Sequence, residues 1–289
     1  MEALKVALLG AGGKMGCRIT DNVKDLDRYV VSYVEVSPEG QARLAERGLT
    51  PTPEAAALED ADAVILALPD RLIGSITKQV VPQLKTGAMV VSLDPAAAHA
   101  GVIPIREELS YFVTHPCHPP LFHDETQPEA MRDWFGGIHA KQHIVCALHH
   151  GPESDYAKGE QLARDIYAPV MDAYRVTVEQ MAILEPAMAE TFAATLVTAM
   201  KEALDEVVAM GVPEDAAREF LLGHLRIEVA IVFGYAGFPF SDGAKLAIAQ
   251  AYEKIFKPDW KQKVLDLDAL RESVNAITGH QPAAASAQG

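Results

Sequence analysis

The densest group of residues able to do chemistry is the run Thr114-His115-Pro116-Cys117-His118-Pro119-Pro120-Leu121-Phe122-His123-Asp124-Glu125. Imidazole suits Zn²⁺ and related divalent ions, so these histidines are candidate metal ligands. The prolines stiffen the segment and would hold the rings in place. The spacing matches no closed structural zinc pattern. Two readings stand: one or two histidines enter an active site, or the segment is a rigid proline loop with solvated histidines. His115 is favoured because it lies nearest the end of an apolar run; His123 is weaker. Cys117 would be a nucleophile for aldehyde oxidation only as an acidified thiol beside a base; otherwise it is an inert small residue. Further on, Glu185-Pro186 interrupts a helical pattern, with Met181, Ile183, Leu184 and Met188 around the carboxylate. A buried Glu185 needs a partner, and a metal ion shared with His115 would be one; the alternative is a solvated helix face. Glu190 lies five residues on, roughly 140° round an ideal helix, so both carboxylates facing one ion is not assured.

A second signal is Gly10-Ala11-Gly12-Gly13-Lys14-Met15-Gly16, between an apolar run and a helical pattern. Glycines there let the backbone approach a pyrophosphate, which rests on the helix N-terminal N–H groups. The spacing fits GxGxxG poorly, because Met15 stands three residues after Gly12; it fits GxxGxxG through Gly10, Gly13 and Gly16. Glu35 follows 19 residues after Gly16. A carboxylate there accepts from ribose hydroxyls and repels a 2′-phosphate, favouring NAD over NADP. Leu68-Pro69-Asp70 ends another apolar run, where the nicotinamide half passes in such folds; a plain strand-ending turn is the alternative. Ser241-Asp242 reads as a helix N-cap, and the same helix start, with Lys245, could meet a substrate carboxylate. His149 and His150 remain unassigned.

These residues need a scaffold. Short apolar runs at 4–9, 30–36, 63–68, 88–93, 111–114, 143–148 and 174–178 alternate with helical patterns such as 15–23 and 154–167. Continuous apolar strands between helices indicate a parallel sheet covered on both faces. The expectation is an N-terminal doubly wound parallel sheet of the Rossmann type over 1–180, followed by an all-helical domain over 181–278 and a disordered tail over 279–289. The helical half reads as one long helix over 180–210, another from Pro213 to about residue 233, and two more over 244–256 and 260–278. It is rich in Ala, Leu, Val and Met and needs a partner surface, which suggests a homodimer.

Composition narrows the function. The 289 residues carry 25 Lys+Arg against 40 Asp+Glu, a net charge of −15. That argues against nucleic acid or an anionic membrane as a partner, since both need basic surface. Cys17, Cys117 and Cys146 are too few and scattered for a disulfide framework, which fits a reducing cytoplasm. The N-terminal segment reads as neither signal peptide nor anchor.

Taken together, the GAGGKMG start, the THPCHPPLFHDE segment, the ILEPAMAET helix and the late PFSDGA segment resemble the D-apionate oxidoisomerases. These bacterial NAD-dependent enzymes are often labelled "semialdehyde dehydrogenase, NAD-binding" or relatives of decarboxylating phosphogluconate dehydrogenase. The Thr-His-Pro turn also resembles that of prephenate dehydrogenases. The resemblance implies oxidation of the C2 hydroxyl of D-apionate by NAD⁺. A hydroxymethyl group then shifts from C3 to C2, giving 3-oxo-isoapionate. This is the reverse sense of ketol-acid reductoisomerase chemistry. It further implies a divalent ion on His115 and Glu185, Glu190 as a base, and a helical half closing over the sugar acid. Three other expectations compete. One is a plain NAD-dependent hydroxy-acid dehydrogenase with His115 as base and no rearrangement. Another is a semialdehyde dehydrogenase using Cys117. The last is a non-catalytic NAD sensor.

Overall fold

A computed structural model describes residues 2–279. Seven strands form one sheet in the order β2-β1-β3-β4-β5-β6-β7. They are β1 (Leu4–Leu9), β2 (Tyr29–Val34), β3 (Ala63–Leu66), β4 (Met89–Ser92), β5 (Ser110–Pro116), β6 (Gln142–His150) and β7 (Val170–Arg175). The first five are parallel. The apolar runs lack alternation because both faces are covered. In β1, Ala7 and Leu9 enter the core on one side of the sheet, Val6 and Leu8 that on the other; β3 divides Val64 and Leu66 from Ala63 and Ile65 in the same way. Each large side chain so buried contributes about 1.5–3 kcal/mol, more than strand propensity supplies.

Crossovers carry α1 (Lys14–Val23), α2 (Pro38–Ala45), α3 (Glu54–Leu58), α4 (Asp70–Val80) and α5 (Ala96–His99). They place the C-terminal ends of β1, β3 and β4 along one edge, where order reverses between β1 and β3 and ligands bind in such sheets. A long segment with the short α6 (Pro128–Met131) joins β5 to β6. β6 runs antiparallel to β5, and β7, reached through α7 (Tyr156–Ile166), is parallel to β6. The sheet is therefore parallel with an antiparallel step. The last strand ends at Arg175, earlier than expected, because Thr177 and Gln180 form a capping box that opens α8 (Val178–Ala182).

The helix expected over 180–210 is three helices. After α8 the chain adopts a π-helix, Ile183–Ala194, before α9 (Thr195–Ala209). Pro186 lies inside the π-helix and has no N–H to give the α-helical ladder, so the register changes there. That change also removes the ideal-helix premise behind the angle between Glu185 and Glu190.

The chain divides into two compact units, one of residues up to 185 and from 271 onward, the other of 186–270. The first holds the sheet. The second holds α9, α10 (Glu214–Val232), α11 (Asp242–Ile255) and α12 (Trp260–Val264), and α13 (Leu267–Thr278) leads back into the first. In the second unit Trp260 stacks on Phe192 with ring centres 4.9 Å apart, and its indole N–H donates to the Tyr252 hydroxyl at 3.0 Å. The tail, apart from Gly279, lies outside the described residues. Among those described, no helix is long and apolar enough to cross a membrane.

Candidate active site

The glycine loop leaves β1 and closes onto the start of α1. Gly10 takes φ +76°, and a Cβ there would lie 2.3 Å from the Ala67 carbonyl oxygen, so only glycine fits. A Cβ on Gly16 would lie 2.1 Å from the Gly10 carbonyl oxygen, so α1 sits directly on the turn. Gly13 caps α1 without a side-chain hydrogen bond, which leaves the first N–H groups of the helix facing the loop. Glu35 follows β2 and ties into this loop. Its Oε2 accepts from the Gly12 N–H at 3.0 Å, while Oε1 accepts from the N–H groups of Val36 and Ser37 and from the Ser37 hydroxyl. Partial burial raises the Glu35 carboxyl, but the bonds from Ser37, Gly12 and Val36 outweigh it and hold the group below the ordinary carboxylate range.

Beside the loop lies a cleft of about 350 Å³. Gly13, Lys14 and Met15 line one wall, and Leu68, Pro69 and Asp70 another; Asp94 and His115 lie at its polar end. Asp70 is the first residue of α4, with Pro69 as its N-cap. His115, on β5, has Nδ1 2.8 Å from the Leu93 carbonyl oxygen. A carbonyl only accepts, so Nδ1 carries a proton, and in the neutral tautomer this selects, Nε2 holds the lone pair. Nε2 lies 3.5 Å from Glu185 Oε2, and Asp94 Oδ2 lies 3.8 Å from Nδ1. Asp94, His115 and Glu185 each offer a ligand atom, all within 4.8 Å of one another. Asp94 also accepts from the Ala96 N–H at 2.8 Å, which fixes it at the start of α5.

Two half-buried carboxylates, Asp94 and Glu185, meet beside His115. Burial pushes the Asp94 carboxyl up, the Ala96 N–H and His115 oppose the shift, and Glu185 adds to it. Burial, then Asp94, pushes Asp70 up. Among the described residues, no lysine or arginine pairs with Asp94 or Glu185. One imidazole and two carboxylates are a donor set that divalent metal ions accept. His115 and Glu185 are thus brought together as the metal reading requires. Asp94 is the partner that sequence reading missed. Its signal was positional: a carboxylate just past β4, at the same sheet edge as Asp70.

The remaining candidates separate. His118 takes φ +61°, with Nδ1 3.0 Å from the Phe135 carbonyl oxygen and its ring edge-on to His115 at 6.4 Å. Lys14 places its ammonium 3.6 Å above the Phe135 ring, and Arg18 binds Asp133 at 2.9 Å. These contacts tie the segment after β5 to α1. His123 is exposed, its Nδ1 accepting from the Glu125 N–H. Cys117 is not an activated thiol: burial of the sulfur raises it, and Glu185 raises it further. In the second unit, Ser241 caps α11 by accepting from the Ala244 N–H, and Lys245 pairs with Asp242 at 3.3 Å. Glu190 also lies in that unit and is exposed.

The sheet order, the glycine loop at its switch point and the acidic group after β2 define a dinucleotide-binding domain of the Rossmann type, and the relatives below make the protein an NAD-dependent oxidoreductase rather than a non-catalytic sensor. Residues 1–122 match the profile of the acetohydroxy acid isomeroreductase NADPH-binding domain, and residues 123–278 that of the phosphogluconate dehydrogenase (decarboxylating) C-terminal region. The D-apionate oxidoisomerase of Rhizobium rhizogenes is 52% identical over 274 residues, spanning 94% of this chain and 99% of that protein. A crystal structure of a semialdehyde dehydrogenase NAD-binding protein from Cupriavidus necator, in complex with calcium and NAD, superposes with a TM-score of 0.93. It is 51% identical and covers 95% of this chain and 99% of its own. An NADH-preferring ketol-acid reductoisomerase from an uncultured archean shares the fold, with a TM-score of 0.64 at 18% identity, covering 95% of this chain and 82% of its own. The chain belongs to the D-apionate oxidoisomerase family.

Proposed function

We propose that this protein oxidises D-apionate at C2 with NAD⁺ and shifts a hydroxymethyl group to give 3-oxo-isoapionate, with a divalent metal ion held by Asp94, His115 and Glu185. The observation that carries the reading is that Asp94 and His115 line the cleft beside the dinucleotide loop, with a Glu185 ligand atom within 4.8 Å of theirs. Its similarity to D-apionate oxidoisomerases, and to a structure solved with calcium and NAD, supports it.

In this reading the N–H groups of the glycine loop receive the pyrophosphate and Glu35 receives the adenosine ribose hydroxyls. Pro69 and Asp70 form the wall that sets the nicotinamide ring. The C2 hydrogen leaves as hydride to NAD⁺ and the C2 hydroxyl loses its proton, which gives a 2-oxo acid. The hydroxymethyl group then leaves C3 with its bonding pair and joins C2. The C3 oxygen, having lost its proton, becomes a carbonyl, and the C2 oxygen takes a proton. Donation of Nδ1–H to Leu93 keeps the His115 ring in one tautomer, with Nε2 turned to the reacting end. The Ala96 N–H holds Asp94 in the orientation needed for a ligand. A bound divalent ion supplies Lewis acidity, polarising the carbonyl and favouring loss of the neighbouring hydroxyl proton.

The test is NADH formation from D-apionate and NAD⁺ after chelation and again with added divalent metal, with the product skeleton read by NMR. Metal-dependent NADH with a migrated hydroxymethyl group is expected. An unshifted product would replace the proposal with a plain hydroxy-acid dehydrogenase.

A further inference from the structure

We infer that Phe135 is a positioning residue for cofactor binding: its ring holds the Lys14 ammonium beside the glycine loop, where that charge meets the dinucleotide pyrophosphate. This role rests on the placement of the pyrophosphate proposed above. Through it, the long connection between β5 and β6 tunes the affinity of a site built on β1 and α1.

Charge is the first argument. A pyrophosphate brings negative charge to a chain that already carries −15. The N–H groups at a helix N-terminus offset only about half an elementary charge. Lys14 is the first residue of α1 and lines the cleft. Among the described residues lining that cleft, Lys14 is the one lysine or arginine, whereas Asp70 and Asp94 add negative charge. Among the described residues the Lys14 ammonium pairs with no carboxylate; it lies 3.6 Å from the centre of the Phe135 ring. A ring face attracts a cation without neutralising it, so the ammonium keeps its charge for an anion. A lysine free in water would lose rotamer freedom on meeting the ligand, and the ring removes that freedom beforehand.

The chain is built to hold this ring. The Asp133 carboxylate, 7% exposed, accepts from Arg18 of α1 through one oxygen at 2.9 Å. Its other oxygen accepts from the N–H groups of Ile138, His139 and Ala140. Arg18 also donates to the Gly136 carbonyl, and Asn22, one turn along α1, donates to that of Gly137 at 3.0 Å. Bonds on both sides of Phe135 thus seat it against the helix that begins with Lys14. The Phe135 carbonyl lies 3.0 Å from His118 Nδ1, and the His118 ring stands edge-on to the Phe135 ring at 5.7 Å. Lys14 and His118 therefore share one anchor. Phe135 is itself 48% exposed, so filling the core does not account for an aromatic ring there.

The test is calorimetric titration of the full chain with two probes. ADP-ribose carries the pyrophosphate; adenosine lacks it and still presents its ribose hydroxyls to Glu35. Phe135→Leu is expected to weaken ADP-ribose about two- to fivefold, the worth of a partly exposed cation–π contact, and to leave adenosine unchanged. Phe135→Tyr keeps the ring and is expected to restore ADP-ribose binding. Lys14→Met is expected to weaken ADP-ribose roughly tenfold, and Phe135→Leu to add no further loss in that background. Phe135→Met is a second non-aromatic variant should Phe135→Leu not fold. Equal losses for both probes, a failed rescue by Phe135→Tyr, or an undiminished cost of Phe135→Leu beside Lys14→Met overturns the inference and leaves the dinucleotide site standing. No binding of ADP-ribose to the unsubstituted chain overturns the pyrophosphate placement, and the inference with it.

Discussion

Replacing Glu35 with glutamine tests the cofactor reading with almost no change in shape. Both carboxylate oxygens accept hydrogen bonds: Oε2 from Gly12, Oε1 from Val36 and from two donors of Ser37. An amide has one acceptor oxygen and one NH₂ group, so it cannot serve both sides. The lower-cost orientation turns the oxygen toward Val36 and Ser37 and sets NH₂ against the Gly12 N–H. One bond to a charged acceptor, worth about 1.5–3 kcal/mol, is then lost. Partial exposure lets water recover part of it, leaving about 1–2 kcal/mol, or roughly a 5- to 30-fold change in an equilibrium. Gly12 belongs to the loop proposed to receive the pyrophosphate, so the cost falls on cofactor binding. Calorimetric titration is expected to show NADH binding weakened by that factor, with discrimination against NADPH reduced. NADH affinity within about twofold of the unsubstituted protein would refute the reasoning, since the loss would lie below 0.5 kcal/mol. Acid acts on the same group. The folded Glu35 titrates below its unfolded value, so its stabilisation is complete above the unfolded value and is lost as pH falls through the folded one. NADH affinity is expected to hold as pH falls through the ordinary carboxylate range and to weaken only below it.

His115→Asn is expected to lower kcat by at least about 10²-fold while NADH affinity stays unchanged, read by steady-state kinetics and titration. Asp94→Asn keeps an acceptor for the Ala96 N–H but removes a half-buried charge close to Glu185. It should abolish metal-dependent turnover and raise the melting temperature of the metal-free protein; a lower melting temperature would contradict the electrostatic account. Cys117→Ser should retain turnover within about twofold, because the thiol is not activated. Gly16→Ala places a methyl 2.1 Å from the Gly10 oxygen and is expected to destabilise by at least about 1–3 kcal/mol, measured as a lower denaturant midpoint.

The parallel part of the sheet was legible because its strands are buried on both faces and read as unbroken apolar runs, as in AVIL of β3 and MVVS of β4. Strand direction was not legible, since an apolar run such as that of β6 pairs either way. The end of the sheet was misplaced because Tyr174 to Val178 has strand-like residues, yet the Thr177–Gln180 capping box outcompetes them. Pro186 was visible as an interruption, but a missing N–H specifies only that the α-ladder fails, not that a π-register replaces it.

The glycine spacing and Glu35 by themselves pointed to a dinucleotide-binding domain, because local backbone geometry restricts which residues occupy such a turn. His115 and Glu185 were legible as chemical types with an open role. What only the tertiary structure decided is their company. Asp94, His115 and Glu185 come from the turn after β4, from β5 and from the π-helix, and nothing in their sequence separation brings them within 4.8 Å. Sheet order and a shift of helical register do that. The Leu93 carbonyl, just past β4, then selects the His115 tautomer by accepting from Nδ1–H, an interaction that exists only once β4 and β5 are paired.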